Sequence, residues 1–157
     1  MEEIIKILTE KKESIATMES ATGGYIANAI TNIEGSSEVF SFGAVTYSNF
    51  YKIKLSVSEK DINAYTVYSM EVARDMSKAI VEFANSRYGI GITGKLNRED
   101  KFNLGGKNNL VYISLYDRKR DIFLDEVLEV GAIAREKNKE LILLRVIFLL
   151  KELLKEE

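Results

Sequence analysis

Neither cysteine nor histidine occurs anywhere in the chain. Their absence removes disulfides, thiolate nucleophiles, Cys/His zinc sites and every histidine-based triad. A general base must therefore be a carboxylate, a lysine, a tyrosine or a water. Proline and tryptophan are missing too; with so many isoleucines, lysines and asparagines, the lack of proline is consistent with codon bias. The net charge is only -2, and lysines and acids interleave without a basic stripe. A grip on a nucleic-acid backbone needs clustered cations, so no nucleic-acid partner is expected. There is also no long apolar run. The most hydrophobic stretch, 141–150, is interrupted by Arg145, whereas a membrane span needs about 20 apolar residues. No membrane association is expected. Met1-Glu2-Glu3 is acidic where a secretory segment would be basic and then apolar, which makes the cytoplasm the expected location.

What is present suits one folded unit. The 157 residues, 46% of them hydrophobic, suffice to bury a core, and no linker or repeat divides them. A single domain over 1–157 is expected. Ile4, Ile5, Ile7 and Leu8 give an opening amphipathic helix. Residues 14–18 read as a short buried strand, 19–24 as a turn and 25–33 as a helix. A second turn lies at Gly35, Ser36 and Ser37, and 39–47 reads as a strand rich in β-branched and aromatic residues. A short helix follows over 49–55. Ser58 with Asp61 marks another helix start, with Val57 and Ile62 as a hydrophobic staple. Ser69 caps the next helix, on which Ala73, Met76, Ile80 and Phe83 share one face. Residues 88–93 read as a central strand, in which Gly89 and Gly91 point to close backbone approach. A polar loop spans 94–109, a hairpin pairs 110–116 with 122–130, and a helix runs from about Arg135. Strands alternating with helices before a late hairpin give a three-layer α/β/α sandwich with a mixed sheet.

Two segments offer chemistry. In Glu19-Ser20-Ala21-Thr22-Gly23-Gly24 a hydroxyl sits on a strand-to-helix turn. Backbone N–H groups there can hold an oxyanion, and the glycines let a substrate approach. The same pattern describes a turn in which Ser20 or Thr22 only caps the helix, and local pattern alone favours that reading. The second segment is 47–52, ending in Lys52. A buried lysine loses its proton more readily, and a Ser–Lys pair activates a nucleophile without histidine. A solvated lysine on a helix is the alternative.

These segments also carry a family resemblance. Residues 14–24 (SIATMESATGG) resemble the "A-E-S-x-T-G-G" block of the CinA C-terminal domain, or nicotinamide-nucleotide amidase, family. Residues 33–40 are similar to its "x-x-G-S-S-x-x-F" block, and 43–49 with Lys52 to its "G-x-V-x-Y-S-N-x-x-K". Order and spacing agree without gaps from Ser14 to Lys52. The resemblance implies hydrolysis of the carboxamide of nicotinamide mononucleotide, or a similar phosphorylated amide, to the acid and ammonia. It implies no cofactor and no metal. It assigns Ser20 as nucleophile, Lys52 as base and Tyr47 as a residue positioning the lysine or the leaving amine. Thr22, Gly23 and Gly24 would supply oxyanion donors. Gly35, Ser36, Ser37, Asn49, Thr93, Gly94 and Arg135 are the expected substrate contacts, the last with Lys139 as a plausible phosphate contact. Tyr47, Tyr51, Tyr65 and Tyr68 could stack on a pyridine ring or simply be partly buried.

Beyond Thr93-Gly94 the chain departs from the family, which usually reads "T-G-I-A-G-P" there, followed by a glycine-rich loop and "K-P-V-G-T-V". The changed segment carries Lys95, Arg98, Lys101 and Lys107. They either replace lost anion contacts or keep a solvated loop soluble. A catalytically degenerate member that binds a nucleotide or protein without turnover is the second functional reading. A structural domain acting through its apolar C-terminal helix is the third. A homo-oligomer, most simply a dimer, is expected.

Overall fold

A computed structural model describes residues 1–155. Eleven regular elements follow in order: α1 (Glu2–Lys11), β1 (Ile15–Glu19), α2 (Tyr25–Thr31), β2 (Gly43–Val45), α3 (Asn49–Lys54), α4 (Glu59–Tyr65), α5 (Met70–Ala84), β3 (Tyr88–Gly94), β4 (Leu110–Asp117), β5 (Ile122–Glu129) and α6 (Arg135–Lys155). The strands form one sheet in the order β2-β1-β3-β4-β5. β2, β1 and β3 are parallel, while β4 and β5 form an antiparallel hairpin against β3. The fold is thus a three-layer α/β/α sandwich on a mixed sheet. No helix among the described residues is long and apolar enough to cross a membrane.

Alternation along β1 divides the core. Ile15 joins Ile4, Leu8, Ile26, Ile30 and Val146 under α1, α2 and α6. Ala16 and Met18 point the other way, joining Ile62, Val72, Met76 and Ile80 under α4 and α5. The short helices start where their caps dictate. Ser58 Oγ accepts from Asp61 N (3.1 Å) and Ser69 Oγ from Val72 N (3.3 Å). Val57 and Ile62, on either side of the first cap, are buried in the same cluster, as a hydrophobic staple requires.

Gly89 and Gly91 let α5 rest directly on β3. A Cβ on Gly89 would lie 2.1 Å from the Ser77 carbonyl oxygen, and one on Gly91 2.2 Å from that of Ala73. Between the layers, Ser77 Oγ donates to the Arg74 carbonyl (2.8 Å), and the Ser114 hydroxyl lies 3.2 Å from it.

Two expectations change. The strand expected over 39–47 shortens to Gly43–Val45, because a single 3-10 turn (Ser36–Glu38) runs into Val39. Beyond Val45 one more sheet bond forms, from Thr46 N to the Glu19 carbonyl (2.8 Å), before the chain leaves for α3. Phe83 does not join the buried face of α5. It is exposed and meets the Phe42 ring at 4.8 Å between centroids.

At the amino-terminal end of β3, a buried ion network ties the layers together. Asp117 Oδ1 accepts from Arg87 Nε (2.7 Å) and Oδ2 from Arg120 Nε (2.6 Å). Arg87 also reaches Glu13 (2.8 Å), and Arg120 donates to the Leu153 carbonyl (2.8 Å). Burial alone would raise the Asp117 pKa, but the hydrogen bonds from the two arginines outweigh it and hold the carboxyl well below its ordinary value. Asp117→Ala is expected to cost about 3–5 kcal/mol, since it removes the buried carboxylate that the two arginines share; urea unfolding checks this. The stabilisation from the depressed carboxyl is complete above its unfolded pKa of about 4 and is lost as the pH falls below it. Asp117→Asn should therefore flatten the acid limb of the stability curve.

Candidate active site

The site forms where β1, β2 and β3 end. After Glu19 the backbone of Ser20 makes one more sheet bond, N to the Ile92 carbonyl (3.0 Å). The chain then turns through Gly23 and Gly24, whose φ values of 63° and 90° lie in the left-handed region, where a side chain would be strained. The Glu19 carboxylate fixes this turn from beneath. Wholly buried, it accepts from Thr22 Oγ1 (2.6 Å), Ile26 N (3.1 Å) and Ala27 N (2.8 Å). Its negative charge thereby satisfies the first free amides of α2.

The turn also decides which amides remain available. Gly23 N is taken by the Ser20 carbonyl (3.0 Å). Ala21 N and Thr22 N make no hydrogen bond among the described residues. Ala21 lines the cleft whereas Thr22 does not. The Ala21 amide, on the residue after Ser20, is thus left unpartnered beside the cleft.

Lys52 comes from the other side. Ser48 caps α3, its Oγ accepting from Tyr51 N (3.4 Å), and the helix delivers a lysine that is only 1% exposed. Lys52 Nζ donates to the Thr46 carbonyl (2.6 Å) and lies 3.2 Å from Ser20 Oγ. Burial pushes its pKa down to about 8, against an opposing pull from the Asp100 carboxylate. Roughly a tenth of the amines are neutral at pH 7, and about half at pH 8. A neutral amine has two N–H groups and one lone pair. With one N–H held by Thr46, the lone pair can turn toward the serine O–H.

The loop over 95–109 closes the cleft, which has a volume of about 800 Å³. Asp100 accepts from the Tyr68 hydroxyl, from Phe102 N (2.9 Å) and from Asn103 Nδ2 (3.0 Å). Asn103 Oδ1 in turn accepts from Asn49 Nδ2 (2.9 Å), on the helix that carries Lys52. The loop is therefore latched to the helix that carries Lys52.

Of the residues singled out in the sequence, Ser20, Tyr47, Asn49, Gly94 and Arg135 line this cleft, with Lys52 buried behind Ser20. An Arg135 guanidinium nitrogen lies 3.5 Å from the Tyr47 hydroxyl. Thr93 is fully buried, its hydroxyl donating to the Val67 carbonyl (2.8 Å). Gly35, Ser36 and Ser37 lie outside the lining, at the 3-10 turn between α2 and β2. Lys95, Arg98 and Lys101 face the cleft; Lys107 does not. Tyr68 borders it as well, but Tyr51 and Tyr65 do not. Glu19, Ala21, Asp100 and Asn103 were not singled out by sequence. A glutamate just ahead of a helix start was a signal for the first; a loop without periodicity carried none for the last two.

Residues 1–154 match the sequence profile of the CinA C-terminal domain. The chain belongs to that family. A protein named for competence-damage inducibility from Clostridium perfringens strain SM101 is 46% identical over 96 residues, 60% of this chain and 23% of that protein. One from Alkaliphilus oremlandii is 44% identical over 107 residues, 64% of this chain and 26% of its own. This CinA C-terminal domain therefore spans about a quarter of the length of such relatives. Among solved structures, the competence/damage inducible protein CihA of Agrobacterium tumefaciens is 28% identical, with a TM-score of 0.81 over 98% of this chain and 90% of that one. A CinA superfamily protein of Klebsiella pneumoniae shares the fold at a TM-score of 0.88 and 20% identity, covering 99% and 96% of the two chains.

Proposed function

We propose that this domain is a serine–lysine amidohydrolase acting on the carboxamide of nicotinamide mononucleotide or a similar phosphorylated amide. The observation that carries the reading is a buried lysine amine 3.2 Å from the hydroxyl of a serine on a cleft wall. Neutral Lys52 takes the Ser20 proton as Oγ attacks the carboxamide carbon. The oxyanion faces the Ala21 amide. The lysine ammonium returns its proton to the leaving nitrogen, and ammonia departs. Water, deprotonated by the same amine, then attacks the acyl-serine and releases the acid and the serine hydroxyl. The cleft volume lies within the range of small-molecule sites. The deciding experiment is ammonia release across a set of carboxamide nucleotides, with Ser20→Ala as control.

The pH profile tests the base separately. Since only the neutral amine accepts the proton, kcat/KM should rise with pH and reach half its plateau near pH 8. Asp100 favours the charged lysine, so Asp100→Asn should move the midpoint to lower pH. A midpoint that stays put, or moves up, would remove Asp100 from the account.

The second reading is a degenerate domain that binds without turnover. The loop at 95–109, which departs from the family pattern and crosses the cleft, favours it. Saturable binding of a carboxamide nucleotide with no ammonia released at any pH would establish it.

A further inference from the structure

Lys95 stands out in the cleft wall. It is 4% exposed, yet it forms no ion pair among the described residues. Its Nζ donates to one neutral acceptor, Asn108 Oδ1 (3.2 Å), and lies 4.8 Å from the centre of the Tyr68 ring. An ammonium carries three donors. A buried cation is ordinarily matched by a carboxylate, and here the nearby carboxylate is engaged elsewhere: Asp100 is occupied by Tyr68, Phe102 and Asn103. The charges around the cleft lean the same way, with Lys95, Arg98, Lys101 and Arg135 against Glu99 and Asp100.

We infer that Lys95 is the anion anchor of the cleft and receives a phosphate group carried by the substrate. Asn108 and the Tyr68 ring hold the ammonium in place while leaving donors for the phosphate oxygens. The phosphate supplies the charge that the fold omits. Arg98 and Lys101, on the same loop, add to the field without being buried by it. The inference deepens the amidohydrolase reading and rests on the Ser20 cleft being where the amide is held.

The test separates the two. Thermal unfolding is followed with inorganic phosphate, and with chloride at matched ionic strength, for the wild type and Lys95→Met. Phosphate should stabilise the wild type beyond chloride, and the excess should vanish in Lys95→Met. Calorimetry on the Ser20→Ala background should then show nicotinamide mononucleotide binding about 10- to 100-fold weaker when Lys95 is also changed. Binding of the unphosphorylated riboside should be unaltered. If Lys95→Met does not fold, Lys95→Gln carries the same expectations. No phosphate stabilisation of the wild type, equal stabilisation of the variant, or equal losses for nucleotide and riboside would each overturn the assignment. These readouts need no turnover: a phosphate effect that depends on Lys95, without ammonia release, keeps the anion site and removes the hydrolase.

Discussion

Ser20→Ala and Lys52→Met are each expected to lower ammonia release by about four orders of magnitude, and the double variant should be no slower than either alone. Two groups that share one proton transfer lose it when either is gone. Methionine is preferred to alanine at position 52 because the lysine stem is buried, and a volume-conserving replacement avoids a cavity. It still leaves the Thr46 carbonyl without its 2.6 Å donor, at a cost of about 1–3 kcal/mol. The variant should therefore melt earlier but remain folded at assay temperature. Single-turnover kinetics, with circular dichroism on the same samples, check both points. Near-wild-type turnover by Ser20→Ala would end the nucleophile assignment, and additive losses in the double variant would end the idea of a shared proton.

A large loss of stability should come from a single methyl group. Gly89→Ala is expected to cost about 3 kcal/mol or more, because its Cβ would sit 2.1 Å from the Ser77 carbonyl oxygen and 2.5 Å from Val81 Cγ2. The first of these atoms is helix backbone and cannot rotate away. Relief requires α5 to lift from β3, opening the cluster that holds Met76 and Ile80 beneath it. Urea unfolding of Gly89→Ala and Gly91→Ala measures the effect. A wild-type midpoint for either would mean that the helix is not seated on the strand as described.

How far the sequence could be read follows from which forces are local. Caps at Ser58 and Ser69, and the register of the late hairpin, rest on neighbours a few residues away. Two glycines in a strand announced a close approach without naming α5 as the partner. The strand expected over 39–47 exceeds the one that forms because β-branched and aromatic residues resemble a strand whatever pairs with them. Of β1, Thr17 to Glu19 pair with β2, and Ile15 N instead bonds the Val39 carbonyl at the end of the 3-10 turn. Phe83 matched the helical period yet turned outward to Phe42, a tertiary contact to which periodicity is blind. In the site, Ser20 and Lys52 were marked by spacing within one contiguous stretch. Asp100 and Asn103 reach Tyr68 and Asn49 across 32 and 54 residues, and no local rule carries that distance. That Gly23 N is taken by the Ser20 carbonyl depends on a turn geometry that spacing does not report.

The ends of three neighbouring parallel strands supply the site from two separate stretches of chain. Residues 15–52 hold the serine, the lysine and the carboxylate that fixes the serine's turn. Residues 94–109, leaving the neighbouring β3, hold most of the walls. On the proposed amidohydrolase reading, the reacting groups and most of the cleft walls are thus encoded in different parts of the chain. Mutation can rework the second part without dismantling the first. In such an arrangement the walls of a cleft can change by drift in one segment while the serine–lysine pair in the other is left in place.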